Sequence, residues 1–333
     1  MKSAAVRSGE LPRGWREFGL DLRQVRSSLL ILAGLLLFNA LLTPHFLSVQ
    51  TLNVNLTQVA TIIIVAMGMT LVIATGGVDL SVGSLMAISG ALAPMLFLNP
   101  AFAHAPWLGV GLAFVLPPLL ALGFGLLNGL FITRLRLQPI VATLVLYIAG
   151  RGIAQVMTNG NLQSFSNDAF GYIGLGRPLG VPVQVLIMLV VVALTYWAVK
   201  RTVFGRYVLA VGGNATAARL AGVPASRVLL AVYAISGLLA GIAGLIVIAI
   251  NSSSDANQVG QGMELDAITA VAVGGTLLSG GRAQVLGTFF GALIIQLIRT
   301  TLLSKGVPDA AALVVKAAII IGAVALQQRR RQE

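Results

Sequence analysis

The chain has 333 residues, of which 57% are hydrophobic and 10% charged, with 38 glycines and a mean hydropathy of +0.93. That composition excludes an ordinary soluble domain and calls for a polytopic membrane protein. A net charge of +12 would suit nucleic acid only if Lys and Arg clustered on one soluble face, and here they sit in short stretches between apolar runs; cysteine is absent, so no disulfide or thiolate metal site can form.

Residues 1–28 carry Lys2, Arg7, Arg13, Arg16, Arg23 and Arg26 with no apolar segment ahead of them, and read as a basic cytoplasmic arm rather than a cleavable signal peptide. Crossing a bilayer takes about 20 mostly apolar residues, and that ruler gives about ten spans within a transmembrane domain over 29–326. Their cores are Leu29 to Leu42, Gln58 to Thr75, Val82 to Leu98, Trp107 to Thr133, Pro139 to Thr158, Val181 to Val199, Val228 to Ile250, Ala267 to Leu278, Val285 to Leu303 and Ala311 to Leu326. The expected class is an all-α integral membrane protein. Residues 327–333 form a second basic segment, with Arg329, Arg330 and Arg331. With both termini inside, the cytoplasmic connections hold Arg134, Arg136, Lys200, Arg201, Arg206, Arg219, Arg227 and Arg282, and the external ones hold little beyond Arg177 and Lys305. That asymmetry is the one expected of a multi-pass protein in this orientation.

Polar residues interrupt this frame in a few places. Between the second and third spans lies "ATGGVDLSVGS", Ala74 to Ser84. Gly76 and Gly77 can release the backbone from helix, Asp79 or Ser81 can cap the next helix, and Gly83 and Ser84 complete the stretch. Two readings stand: a capped polar turn, or a break beside a transport pathway, where irregular backbone is tolerated because it faces protein or water. In the fourth span Pro117 and Pro118 are expected to break the helix, and Asn128 is a polar candidate for the pathway or for interhelical bonding. Thr143, Tyr147, Arg151 and Gln155 recur every four residues along the fifth span, on one face. An arginine in a span costs several kcal/mol without a partner. Arg151, like Lys316 in the tenth span, is therefore expected either to line the pathway, or to snorkel or pair with Asp168, Asp255, Glu264 or Asp266. These two cations lie about 165 residues apart, as do the two occurrences of FG-x-L at Phe124 and Phe290, a spacing that an inverted five-plus-five repeat would produce.

The connection 200–227 is longer and more basic than a link between spans needs. Asn214 is placed to cap a short helix over Thr216, Ala217, Ala218, Arg219 and Leu220, with Gly222 at its C′ position. Such a helix either lies at the interface or docks a cytoplasmic partner. The sequence contains no G-x-x-x-x-G-K-[ST] phosphate loop, no catalytic constellation and no metal-ligand pattern, and His45 and His104 sit in predicted loops as ordinary residues.

The order "GMTLVIATGGVDLSVGS", "GRYVLAVGGNATAARLAGV", "ELDAITAVAVGGTLLSGG" resembles the permease subunits of bacterial ABC importers for monosaccharides, over nearly the whole chain. The resemblance implies a non-enzymatic subunit of the bacterial inner membrane, embedded in lipid and paired with a second copy or a homologous permease. A cytoplasmic ABC ATPase would hydrolyse ATP with Mg, a periplasmic sugar-binding protein would deliver the sugar, and this chain would hold no cofactor. Thr216 to Gly222 matches the coupling motif of such permeases, with Thr216 where glutamate is usual. "LQPIVATLVLYIAGRG" with "SDANQVGQGMELDAI" looks nearest the galactofuranose type, leaving ribose, another hexose or a polyol open. Competing readings are a permease for branched-chain amino acids, an ion-coupled transporter using Asp79, Glu264 and Asp266, or a membrane scaffold acting through 200–227.

Overall fold

The computed structural model describes residues 26–308 together with 311, 314, 315, 317, 318, 321 and 322. The basic arm ahead of Arg26, Lys316 and the 327–333 segment lie outside the described residues. Long apolar runs become helices whose limits are set by caps and by glycines. α1 spans Arg26–Leu42, α2 Val49–Ala74, α3 Val82–Phe97, α4 Pro106–Thr133, α5 Pro139–Met157, α6 Asp168–Leu175, α7 Val183–Arg201, α8 Val203–Gly213, α9 Ala215–Leu220, α10 Ala225–Asn251, α11 Met263–Val273 and α12 Val285–Ser304. Among the described residues six are long and apolar enough to cross a bilayer: α2, α4, α5, α7, α10 and α12. Helices α1, α3 and α8 are apolar but shorter. The strands β1 (Gln163–Ser164) and β2 (Ser253–Ser254) form a two-residue antiparallel pair, the only strands among the described residues.

The expected all-α class is therefore what forms, while the count of ten spans is met only in part. The eighth predicted span is the 11-residue α11. At 1.5 Å per residue it covers roughly half of a ~30 Å hydrocarbon core, because Gly274 and Gly275, the latter at φ +86°, end it. Pro117 and Pro118 do not break the fourth span: α4 is one helix across both. Packing keeps it continuous. Its most extensive neighbour is α10, and the two approach backbone to backbone where Gly125, Gly129, Gly237 and Gly241 leave no side chain between them. Pro117 O also accepts from Ser89 Oγ of α3 at 3.1 Å.

Helix α2 is apolar all round and accordingly sits at the centre, buried from Val59 to Ala74. It starts nine residues earlier than its apolar core, because Ser48 caps it through the Thr51 amide and its polar first turns find partners: Asn55 with Thr300, Gln58 with Gln296, and Thr57 with Gln184. The connections gather at two ends. Residues 134–138, 200–225 and 274–284 share one end with the Ala74–Gly77 turn, while 43–48, 158–182 and 252–262 share the other with Lys305, whose ammonium donates to Leu42 O.

Candidate functional site

Helix α2 stops at Thr75, and Gly76 turns the chain at φ +84°, a left-handed value that glycine adopts without strain. The next residues run through the protein interior, where Asp79, Ser81 and Ser84 are each 0% exposed. Asp79 Oδ1 accepts from Ser81 N at 3.0 Å and Ser81 Oγ at 2.6 Å, and its Oδ2 accepts from Ser236 Oγ of α10 at 2.7 Å. Ser81 Oγ accepts in turn from Asn128 Nδ2 of α4 at 2.9 Å. On α5, Leu146 O accepts from Ser84 Oγ at 3.1 Å, and Thr143 Oγ1 lies 2.9 Å from Pro139 O and 3.3 Å from Val78 O. Gly77 lets α10 close in, since a Cβ there would collide with the Tyr233 hydroxyl. The capping expected of Asp79 or Ser81 is not the arrangement found: Ser81 stands at the N-cap without a side-chain cap bond. The Asp79 carboxyl instead closes an Asx-type turn onto Ser81 and reaches across to α10, because its oxygens meet donors two residues on before they reach the amides of α3. Both oxygens of the buried Asp79 carboxyl thus find a donor, as burial away from water requires.

A second interruption meets the first turn of α3. After α10 the 252–262 segment turns at Ser252 (φ 49°), Gly260 (φ +72°) and Gly262 (φ +74°) before α11 begins. Gly260 and Gly83 touch backbone to backbone, where a Cβ on either would collide with the other's carbonyl oxygen. Arg151 secures this contact from α5. Its Nη1 donates to Ala256 O and Val259 O, both at 2.7 Å, and its Nη2 to Gly83 O at 3.3 Å. Among the described residues these are its hydrogen bonds, and none goes to a carboxylate. One turn on, Gln155 Nε2 donates to Asn257 Oδ1 at 2.7 Å. Tyr147, on the same face, is half-buried. Glu264 and Asp266 are buried in the first turn of α11, where the helix dipole favours negative charge. The order α2, break, α3 is thereby repeated as α10, 252–262, α11.

Replacing Arg151 tests this clamp. Arg151→Leu suits lipid but takes the donor from Ala256 O and Val259 O and the longer bond from Gly83 O, which loosens 252–262 against α3. Orphaned buried acceptors cost about 1–3 kcal/mol each and lower the membrane yield, so uptake is read per folded copy, and on that scale it is expected to fall about tenfold or more. Wild-type uptake by Arg151→Leu vesicles would remove Arg151 from the functional site.

At the opposite end, Thr202 ends α7 and caps α8, accepting from Gly205 N at 3.3 Å. Asn214 then caps α9, its Oδ1 accepting from Thr216 N and Ala217 N at 3.0 Å each. Gly222 takes φ +82°, and Val223 N donates back to Ala218 O at 2.9 Å, closing the helix as the sequence predicts. Ala218 faces inward, Thr216, Ala217 and Arg219 face outward, and Leu220 at the tip is 87% exposed.

Gly76, Gly77, Asp79, Ser81, Gly83, Ser84, Asn128, Thr143 and Arg151 thus form one connected cluster, with Gln155 at its rim, while Asn214 through Gly222 form a separate surface. The sequence reading missed Ser236 and Tyr233, which look like ordinary small-residue and aromatic packing within an apolar span. It also missed the carbonyls of Ala256 and Val259, which carry no side-chain signature. Among the described residues no group of three or more His, Asp or Glu could hold a metal ion.

Residues 52–324 match the family described as the permease component of branched-chain amino acid transport systems. The chain is 39% identical to the ribose import permease protein RbsC of Escherichia coli (strain K12), over 92% of this chain and 94% of that one. It is 39% identical to the galactofuranose transporter permease protein YtfT of the same organism, covering 89% and 87%, and 39% identical to the fructose import permease protein FruF of Bifidobacterium longum, covering 76% and 70%. No solved structure matches the chain. Two breaks, an arginine clamp and a capped surface helix therefore sit on the frame of a known class of transport protein, and the chain belongs to this family of ABC-importer permeases.

Proposed function

We propose that the chain is the transmembrane permease subunit of an ATP-driven importer, passing a monosaccharide from a periplasmic binding protein into the cytoplasm of a bacterium. The observation that carries this is near-full-length identity of 39% with both a ribose and a galactofuranose permease. Equal identity to the two does not choose between those sugars. In this reading α9 and its basic surroundings face the cytoplasm and dock the ABC ATPase, which hydrolyses ATP with Mg, and the 252–262 end faces the periplasm. Both termini are then cytoplasmic, with the arm 1–28 and the 327–333 segment on that side of the transmembrane domain. The charge asymmetry supports this orientation. The large apolar residues left exposed on α4 and α5, Leu119, Leu120, Ile140, Val141, Leu144, Val145 and Ile148 among them, support contact with lipid and with a second permease, a copy or a homologue. The repeated order of broken helices supports an inverted repeat, with the cluster around Asp79 and Arg151 holding the two breaks together beside the pathway.

Vesicles containing the chain, its ATPase and its binding protein test the proposal. Uptake of labelled ribose, galactofuranose or fructose is expected to require ATP and to resist ionophores. Uptake by the chain alone along a proton or sodium gradient would overturn it, and uptake of leucine but no sugar would move the substrate to branched-chain amino acids.

A further inference from the structure

Helix α8 ends at Gly213 and Asn214 opens α9 directly, so the proposed docking surface is two residues from Gly212. Gly212 is wedged against the last residue of α2. A Cβ there would collide with Ala74 O and would lie 2.6 Å from Gly281 N and 2.9 Å from Ala74 C. Gly281 N donates to the same Ala74 O at 3.0 Å. A Cβ on Gly280 would lie 2.7 Å from Gly212 O and 2.8 Å from Gly76 N. Gly76, Gly280 and Gly281 stand at φ +84°, +85° and +79°, a region other residues seldom enter. Three chain segments therefore meet through backbone atoms with no side chain between them. Side chains can absorb a displacement by changing rotamer, but abutting backbones must shift together. From Ala74 the chain leads through Gly76 and Gly77 to Asp79, whose bonds reach α10.

We propose that Gly212, with Gly76, Gly280 and Gly281, forms a backbone joint that passes displacement of α9 to the break at residues 74–79. Gly212 is thus a positioning residue for transport: it touches no sugar and acts through the break. The proposal rests on α9 being the docking surface for the ATPase.

The test compares wild type, Gly212→Ala and Gly123→Ala as reconstituted complexes. Gly123 is an exposed helical glycine of α4 with nothing within 4 Å of an added Cβ. ATPase retention, ATP hydrolysed and sugar moved are measured on the same vesicles, with whichever of labelled ribose, fructose or galactofuranose the wild type takes up. Loss of folded protein lowers hydrolysis and uptake by the same factor, so the ratio of sugar to ATP separates a failed joint from a smaller number of active copies. Gly212→Ala is expected to retain the ATPase and to lower that ratio about tenfold, within the range of mutations that alter coupling between sites. Gly123→Ala is expected to keep the wild-type ratio. A wild-type ratio in Gly212→Ala overturns the joint, as does an equal fall in Gly123→Ala. Should Gly212→Ala not accumulate, Gly281→Ala, whose Cβ would meet Gly213 Cα at 3.1 Å, is read by the same ratio, and a wild-type value there overturns the proposal. Full ATPase retention by variants that disrupt the α9 surface would instead overturn the docking reading.

Discussion

Asp79→Ala is expected to lose most of its folded yield, whereas Asp79→Asn keeps most of it. The carboxyl receives Ser81 N, Ser81 Oγ and Ser236 Oγ at 3.0, 2.6 and 2.7 Å, inside a region with no exposure to solvent. Alanine removes the acceptor of all three donors; the Ser236 hydroxyl can turn to a carbonyl one helical turn back, but Ser81 N and Ser81 Oγ stay buried without one. At about 1–3 kcal/mol for each of these two groups the loss is roughly 2–6 kcal/mol, a large share of a typical folding free energy. Asparagine retains Oδ1 for both Ser81 donors. Its amide can donate to Ser236 Oγ, whose own hydrogen can turn to a carbonyl one helical turn back. Ser236→Ala leaves one buried carboxyl oxygen without its donor and is expected to cost about 1–3 kcal/mol, less than Asp79→Ala. Membrane yield and the unfolding midpoint in detergent measure the series. Asp79→Ala as stable as wild type would mean that the break is held by packing alone. If Asp79→Asn folds normally yet loses uptake, the negative charge has a role in transport beyond these bonds.

The class of the fold was legible because a membrane leaves few solutions. Runs of apolar residues of bilayer length must be helices, and α4, α5, α7, α10 and α12 fall within a few residues of their apolar cores. The cap and stop of α9 were legible for a local reason, since Asn214 and Gly222 act on amides and dihedrals within their own helix. The break at Gly76 was marked by its own glycines, but its partners were not. Ser236 lies 157 residues from Asp79 in sequence, and nothing local distinguishes it from other small residues of α10. The role of Arg151 was half legible. Its cost inside a span announces that it has partners, but those partners are backbone carbonyls, which any residue type supplies. Pro117 and Pro118 misled for a related reason. Proline removes local bonds, and whether a helix then breaks is decided by what packs beside it, here α10 with its glycines. The length of α2 was underestimated because Asn55 and Thr57 look like a polar end until their partners on α7 and α12 are known.

Leu220→Asp is expected to release the ATPase while leaving the permease folded. Leu220 is 87% exposed at the tip of α9, so an aspartate there breaks no internal packing. A large apolar side chain held out on a short, capped helix among small residues is suited to enter a pocket on a partner, where a buried charge would be strongly opposed. Loss of such an anchor lowers affinity by about thirtyfold or more, the factor that corresponds to a central interface residue. Gly222→Val acts differently. At φ +82° a β-branched residue is strained by about 1–3 kcal/mol, and relief of that strain would open the turn formed by Gly222 N with Arg219 O and Val223 N with Ala218 O. The end of α9 would then fray and Leu220 would lose its fixed position, so ATPase binding should fall less than with Leu220→Asp while the permease still inserts. Co-purification of the ATPase and sugar uptake in cells read both variants together. Graded loss in the order Gly222→Val then Leu220→Asp, with uptake following ATPase retention, is the expected result. Full ATPase binding and full uptake in both would show that the ATPase docks elsewhere.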